Sequence, residues 1–260
     1  MADNWEYQAS TGKPGDEENT KRYAALIDVI RNRVTTRQFR PDEVIPREHF
    51  ELILDAARHG PSGANAQPWH YIVITDPNLK QQVAAYFVTE QRRRAKLKMK
   101  FPTPDYSGIE TAPGLIVVAT DFRWVRAFPV LKDDDSPLNK MYHENAERIL
   151  LQSVAASTMS AHLAAAALGY NVWWITAIGQ QEAQDAMKPL LGIPEELSVI
   201  DIMCFGTALK EPYKRHKREL DDIINWNQFD KSHYMSSEEL DDWILNKRKR
   251  VMYRDEKNID

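Results

Sequence analysis

A chain of 260 residues, 43% hydrophobic and 10% aromatic, carries enough apolar material for a packed core, which excludes global disorder. A formal net charge of −4 leaves no overall electrostatic footprint for nucleic acid. A lone cysteine, Cys204, excludes a disulfide framework and a cysteine-rich metal centre, and suits a reducing compartment.

Residues 1–20 are polar with no apolar h-region, so they read as a flexible tail or partner-wrapping arm and not as a secretory signal. No run approaches the roughly 18 apolar residues of a spanning helix, so no membrane partner is expected and the protein reads as cytoplasmic. Thr20 caps a predicted helix with Tyr23, Leu26, Ile27 and Ile30 at helical spacing. Pro46 opens a second, with Phe50, Ile53, Leu54 and Ala57 on one face. Residues 60–68 are loop, and Tyr71–Thr75 is a short strand ended by Asp76-Pro77. A helix from Asn78 to about Lys100 becomes strongly basic after Arg92, which reads as a solvated face or a lid.

Residues 101–108 are loop, Leu115–Thr120 a buried strand, and 122–137 irregular. Glu144–Leu168 reads as one long helix ended by Gly169, roughly 37 Å at about 1.5 Å per residue. Val172–Ile175 and Val199–Phe205 are strands flanking a short helix, Glu182–Leu191. Cys204, inside the last apolar run, reads as a buried structural thiol in preference to a nucleophile. The charged C-terminal residues hold Trp226, Phe229, Tyr234 and Trp243 as scattered anchors, suited to wrapping a surface or a partner subunit. The order α-α-β-α-β-α-β-α-β predicts an α+β layered fold.

Three segments carry chemistry. Arg33-Val34-Thr35-Thr36-Arg37-Gln38-Phe39 places two guanidinium groups and two hydroxyls within five residues, which suits a phosphate dianion. Pro61-Ser62-Gly63-Ala64-Asn65-Ala66-Gln67-Pro68-Trp69 is a polar loop whose amides can pair with the edge of a flat heterocycle. From Leu168-Gly169 a helix end runs into a strand that stops at Thr176-Ala177, small residues that let a planar ring approach the backbone. Taken singly, each fits an ordinary role: a solvated helix end, a turn satisfying its own backbone, a helix–strand junction. The histidines are scattered without metal-ligand spacing, so no metal is expected.

In this order and spacing the segments resemble the nitroreductase family of flavoproteins. The family's opening Arg-x-Ser/Thr-x-Arg/Lys-x-Phe element is matched by Arg33, Thr35, Arg37 and Phe39. Its Pro-Ser-x-x-Asn-x-Gln-Pro-Trp loop is matched at Pro61, Ser62, Asn65, Gln67, Pro68 and Trp69. Ala112-Pro113 before a strand, Leu168-Gly169 and the strand to Gly206 follow in place, so the likeness spans about residues 21–225.

The resemblance implies a three-layer fold, a central mixed β-sheet flanked by helices, in an intertwined homodimer. Residues 1–20 would be the tail, 21–225 the FMN-binding domain and 226–260 an extension over the surface or the partner. FMN would lie against Arg33, Val34, Thr35 and Arg37, with a basic residue among Lys214, Arg215, Lys217 and Arg218 on the phosphate; Lys217 and Arg218 are taken for that part. Asn65 and Gln67 would face the ring or ribityl chain, Pro61, Ser62 and Gly63 the flavin of the other subunit, and backbone N–H groups over Ile175, Thr176 and Ala177 the N5 region. Val34, Met159-Ser160 and Thr176-Ala177 depart from the family's frequent basic residue, Gln-Asn pair and glycine at those places.

The implied activity is a ping-pong hydride transfer from NADH or NADPH through flavin N5 to a small aromatic or conjugated acceptor: nitroarene, quinone or enone. No side chain need serve as nucleophile, so no catalytic residue is expected. Tyr86, Phe87, Phe122, Trp124 and Phe128 are candidates to line the substrate pocket, or to be core. The alternatives are a reductive dehalogenase of iodotyrosine type and a flavin-binding module without turnover. The dehalogenase would need Glu, Tyr and Lys on a lid, whereas Glu90 is followed four residues on by Arg94 and no lysine lies between Phe101 and Thr111.

Overall fold

A computed structural model describes residues 14–97, 104–129, 131–132, 134–212 and 217–247, in two units: residues 1–212 and 213–260. The first unit is built on four strands: β1 (Trp69–Ile74), β2 (Gly114–Asp121), β3 (Asn171–Ile175) and β4 (Leu197–Gly206). Their order is β1-β2-β4-β3 and every pairing is antiparallel. The parallel part of the expected mixed sheet is one isolated bridge among the described residues, Thr35 with Val172.

Side-chain alternation along these strands builds two cores. Leu115, Val117, Ala119, Trp173, Ile175, Ile202 and Cys204 meet α3 (Pro77–Ala95) and α6 (Gln181–Leu191) on one face. Ile116, Val118, Val172, Met203 and Phe205 meet α2 (Arg47–Arg58) and α5 (Pro137–Ala167) on the other. The result is the expected three layers. Every residue of β2 is buried, the pattern of a central strand covered on both faces.

The helix α5 is longer than its sequence suggests. Its N-cap is Ser136, whose hydroxyl accepts from the Asn139 N–H, and Pro137 sits in the first turn, where a missing N–H costs nothing. At 31 residues it runs about 46 Å. It is apolar enough by composition to cross a membrane, but Leu150, Val154, Ala161 and Ala165 are fully buried in the protein core. Gly169, at φ +88°, ends the helix path, and the Tyr170 N–H returns to Ala165 O at 2.9 Å.

The first helix, α1 (Glu17–Asn32), begins before the expected Thr20 cap, because the Asp16 carboxylate accepts from the Asn19 N–H. It buries none of its side chains; Tyr23, Leu26 and Ile30 form an exposed apolar stripe. A short helix not foreseen in the sequence, α4 (Gly108–Thr111), precedes β2. The second unit holds short 3-10 turns and α7 (Ser237–Asp242), closed by a Ser236/Glu239 capping box. Trp226, Phe229 and Tyr234 within it are exposed.

Candidate functional site

Residues 33–39 run as a strap along the outer edge of β3. Arg33 is the C-cap of α1, its N–H donating to Val29 O. The strap is then pinned by main-chain bonds: Thr36 N–H to Val172 O at 2.9 Å, and Leu209 N–H to Gln38 O at 2.9 Å, beside the bridge between Phe39 and Ala208. Phe39 is fully buried and anchors the end. Arg33, Val34, Thr35 and Arg37 are half-buried on this frame, with the Arg37 guanidinium 5.7 Å from the centroid of the Trp173 ring.

The loop before β1 is strained and tightly seated. Ala64, Asn65 and Gln67 all take left-handed backbone, with φ of 52°, 50° and 46°, a conformation costly for residues other than glycine. Such strain persists only where surroundings enforce it. Here the Gly63 N–H donates to Ser153 Oγ of α5 at 3.1 Å, and the Gln67 N–H donates to Ser62 Oγ at 3.1 Å. A Cβ on Gly63 would lie 2.2 Å from Ile149 Cγ2, so only glycine seats the loop this deep. The outcome is a paired amide edge: Gln67 Nε2 donates to Asn65 Oδ1 at 3.1 Å, and both residues are exposed, as is Pro61.

At the far end of β3, Ile175 points into the core at 2% exposure, so it can offer a ligand only its backbone. Thr176 is exposed and Ala177 half-buried. The aromatic candidates divide. Phe122 and Phe128 pack on a small cluster with Ala66, Val125, Ala146 and Leu150, next to the loop, and Trp124 is 45% exposed. Tyr86 and Phe87 lie on α3 on the other face of the sheet. Phe87 is 2% exposed, packed against Tyr106 at 5.4 Å between centroids; its place is the core and not a pocket. In the second unit Lys217 and Arg218 are exposed, Arg218 Nη2 donating to Asp222 O, while Lys214 and Arg215 lie outside the described residues.

Between strap, α5 and sheet lies a polar seam that sequence reading does not single out. Thr158 Oγ1 donates to Asp201 Oδ2 at 2.9 Å, and burial pushes the Asp201 carboxyl up. His162 is 1% exposed, tilted against Trp174 and Phe205 at 5.5 and 6.0 Å. Neither of its ring nitrogens, nor the buried Thr36 Oγ1, has a hydrogen-bond partner among the described residues. Burial, reinforced by the Arg33 cation, drives its pKa down from 6.5 to about 3. Cys204 is fully buried and its thiol is pushed up by burial, which bears out a structural role over a nucleophilic one.

With strap, loop and strand end in place, comparison with known proteins gives the family. Residues 30–207 match the model of the nitroreductase family. The chain belongs to that family. An Archaeoglobus fulgidus relative named an NADH dehydrogenase/NAD(P)H nitroreductase is 28% identical over 184 residues, 71% of this chain and 84% of that one. An iodotyrosine deiodinase of Nematostella vectensis is 35% identical over 115 residues, 40% of this chain and 43% of its own length. The same fold occurs in the NADPH:FMN oxidoreductase of Vibrio harveyi solved with NAD+, at TM-score 0.61 and 18% identity over 84% of this chain and 83% of that one. It occurs also in an Exiguobacterium sibiricum nitroreductase solved with FMN, at TM-score 0.58 and 21% identity over 78% and 97% of the two chains.

The strap carries two half-buried arginines, Arg33 and Arg37, and the half-buried Thr35 hydroxyl, groups whose chemistry fits a phosphate. The seam beneath it predicts a pH dependence. A neutral buried His162 leaves the unfolded chain binding more protons below pH 6.5, so stability is full above 6.5 and falls as pH drops toward 3. Asp201, raised by burial, has the opposite sign, so the comparison must be between parent and His162→Leu. Between pH 7 and 5 the parent should lose about 1–2 kcal/mol more than His162→Leu in urea unfolding; parallel losses would contradict the buried neutral imidazole.

Proposed function

We propose that this chain is an NAD(P)H-dependent FMN oxidoreductase of nitroreductase type acting on a small oxidised aromatic or conjugated acceptor, a nitroarene, quinone or enone. FMN, when bound, supplies the hydride relay at N5 between NADH or NADPH and that acceptor. One observation carries the reading: the strap is fastened at the start of β3 and small residues lie at its end, about 13 Å on at about 3.3 Å per residue. A phosphate at the strap and a ring at the strand end would, on this reading, lie along one strand.

On this reading Arg33, Thr35 and Arg37 hold the phosphate, with Val34 contributing main chain. The Asn65–Gln67 amide pair meets the ring edge or ribityl oxygens, and its strained loop arrives already ordered, so little freedom is lost on binding. Backbone N–H groups of Thr176 and Ala177 face the redox-active nitrogen. Phe122, Trp124 and Phe128 line the acceptor side, with Tyr86 a further candidate. One open face serves reductant and acceptor in turn, which makes turnover ping-pong. Protons come from water or from a flexible group at the open flavin face. A reducing, cytoplasmic setting suits the lone buried thiol.

The deiodinase likeness gives a second reading, reductive dehalogenation by the same cofactor. Against it stands Glu90, which accepts from Arg93 Nη2 at 2.7 Å with Arg94 close by, so its carboxylate is already engaged.

A homodimer completes the reading. The exposed stripe Tyr23, Leu26 and Ile30 on α1, with Leu151 and Met159 exposed on α5, supports a partner surface, and Pro61–Gly63 would meet the partner's flavin. Sedimentation at micromolar protein should give about twice 30.0 kDa; an active flavin-loaded monomer would refute the shared site. For the cofactor, Arg33→Ala should weaken FMN retention roughly 10–100-fold, the worth of a charge-assisted hydrogen bond, whereas Arg22→Ala on the exposed side of α1 should not. Equal retention in both variants argues against the strap as the phosphate site.

A further inference from the structure

Gly108, the first residue of α4, lies directly against the strap. A Cβ at this position would stand 1.7 Å from the Arg37 carbonyl oxygen and 2.6 Å from its carbonyl carbon. Both are backbone atoms, so no rotamer change relieves the overlap, and either the turn or the strap must move. The same turn has other holds on its surroundings. Thr111 Oγ1 accepts from the Phe39 N–H at 3.3 Å. The Tyr106 ring stacks on Trp173, centroids 5.7 Å apart and planes 17° from parallel, and the Arg37 guanidinium lies over that same indole. The turn is fixed in its own right by the Tyr106 N–H, which donates to Gln91 Oε1 of α3 at 2.9 Å. Arg37 is therefore located twice: its main chain by Gly108, its guanidinium by the indole that Tyr106 packs against.

We propose that the turn Tyr106–Thr111 is a positioning element for Arg37, with Gly108 and Tyr106 setting the affinity for FMN through that one side chain. The proposal rests on the phosphate role assigned above to Arg37. It couples the end of the basic helix α3 to the cofactor strap, two parts of the chain that share no sequence signal.

The test is a double-mutant cycle on the FMN-loaded protein, reading FMN dissociation on dilution from the recovery of free-flavin fluorescence. Gly108→Ala should weaken retention about tenfold or more in the parent, and less than about twofold when Arg37 is already Ala. Tyr106→Leu should show the same pattern and carries the cycle if Gly108→Ala does not fold. Gly192→Val is the control for general destabilisation, since Gly192 holds a left-handed backbone, φ +64°, costly for a branched side chain, at the C-cap of α6, and has no bond to the turn or the strap among the described residues; it should lower the melting temperature and leave FMN retention unchanged. Losses that simply multiply in the double variant, or an unchanged Gly108→Ala, overturn the positioning role while leaving Arg37 as a ligand. An Arg37→Ala variant that retains FMN like the parent overturns the underlying reading instead, and the positioning role with it.

Discussion

The hydrogen bond from the Thr36 N–H to Val172 O, with the bridge between Thr35 and Val172, is the constraint on which the site depends. It is a main-chain bond at the edge of a sheet, so it fixes the path of residues 33–39 whatever their side chains are. Arginines on a free helix end would keep their rotamer and backbone freedom and bind an anion weakly. Fastened to β3 at one end and sealed by the buried Phe39 at the other, the strap fixes the main chain from which both arginines extend, Arg33 toward His162 and Arg37 over the Trp173 indole. An exposed edge strand is also a liability for wrong pairing, and the strap covers the start of β3.

The long helix α5 is the second support, and its small residues explain how. Ser153 offers its hydroxyl to the Gly63 N–H, and Ser157 lies where a Cβ on Gly60 would strike its main chain, so the loop descends onto α5 at two glycines. Tyr71 of β1 bonds to the Ser157 hydroxyl, and burial raises its phenol to about 12, which keeps it neutral at any working pH. Larger side chains along this face would lift the loop and undo the left-handed turn at Ala64 and Asn65. The strain held there is thus a property of the interface with α5 and not of the loop alone.

Much of this was legible in the sequence because the signals are local. The strands declared themselves by apolar runs, and the Arg33–Phe39 and Pro61–Trp69 segments by residue type and spacing. The start of α5 lies ahead of the expected Glu144 because three aspartates and a proline read as irregular chain, although Ser136-Pro137 is itself a helix-opening pair. Phe87 and its neighbour Tyr86 carry similar side chains, yet one step along a helix turns a residue by about 100°, which buries the first and leaves the second half-exposed. What sequence could not supply were contacts between distant residues: Thr158 with Asp201, His162 with Arg33, and Gly108 with Arg37. Each pairs an ordinary residue with another far along the chain, and no pattern in a single sequence marks the partner.

If the strap and β3 hold an FMN that NAD(P)H can reduce, the visible spectrum of the purified protein, recorded anaerobically before and after addition of NADH or NADPH, will show it. An oxidised flavin band should bleach with one reductant or both, and return when a quinone or nitroarene is added. A protein that binds no FMN, or whose bound flavin neither nucleotide bleaches, would contradict it.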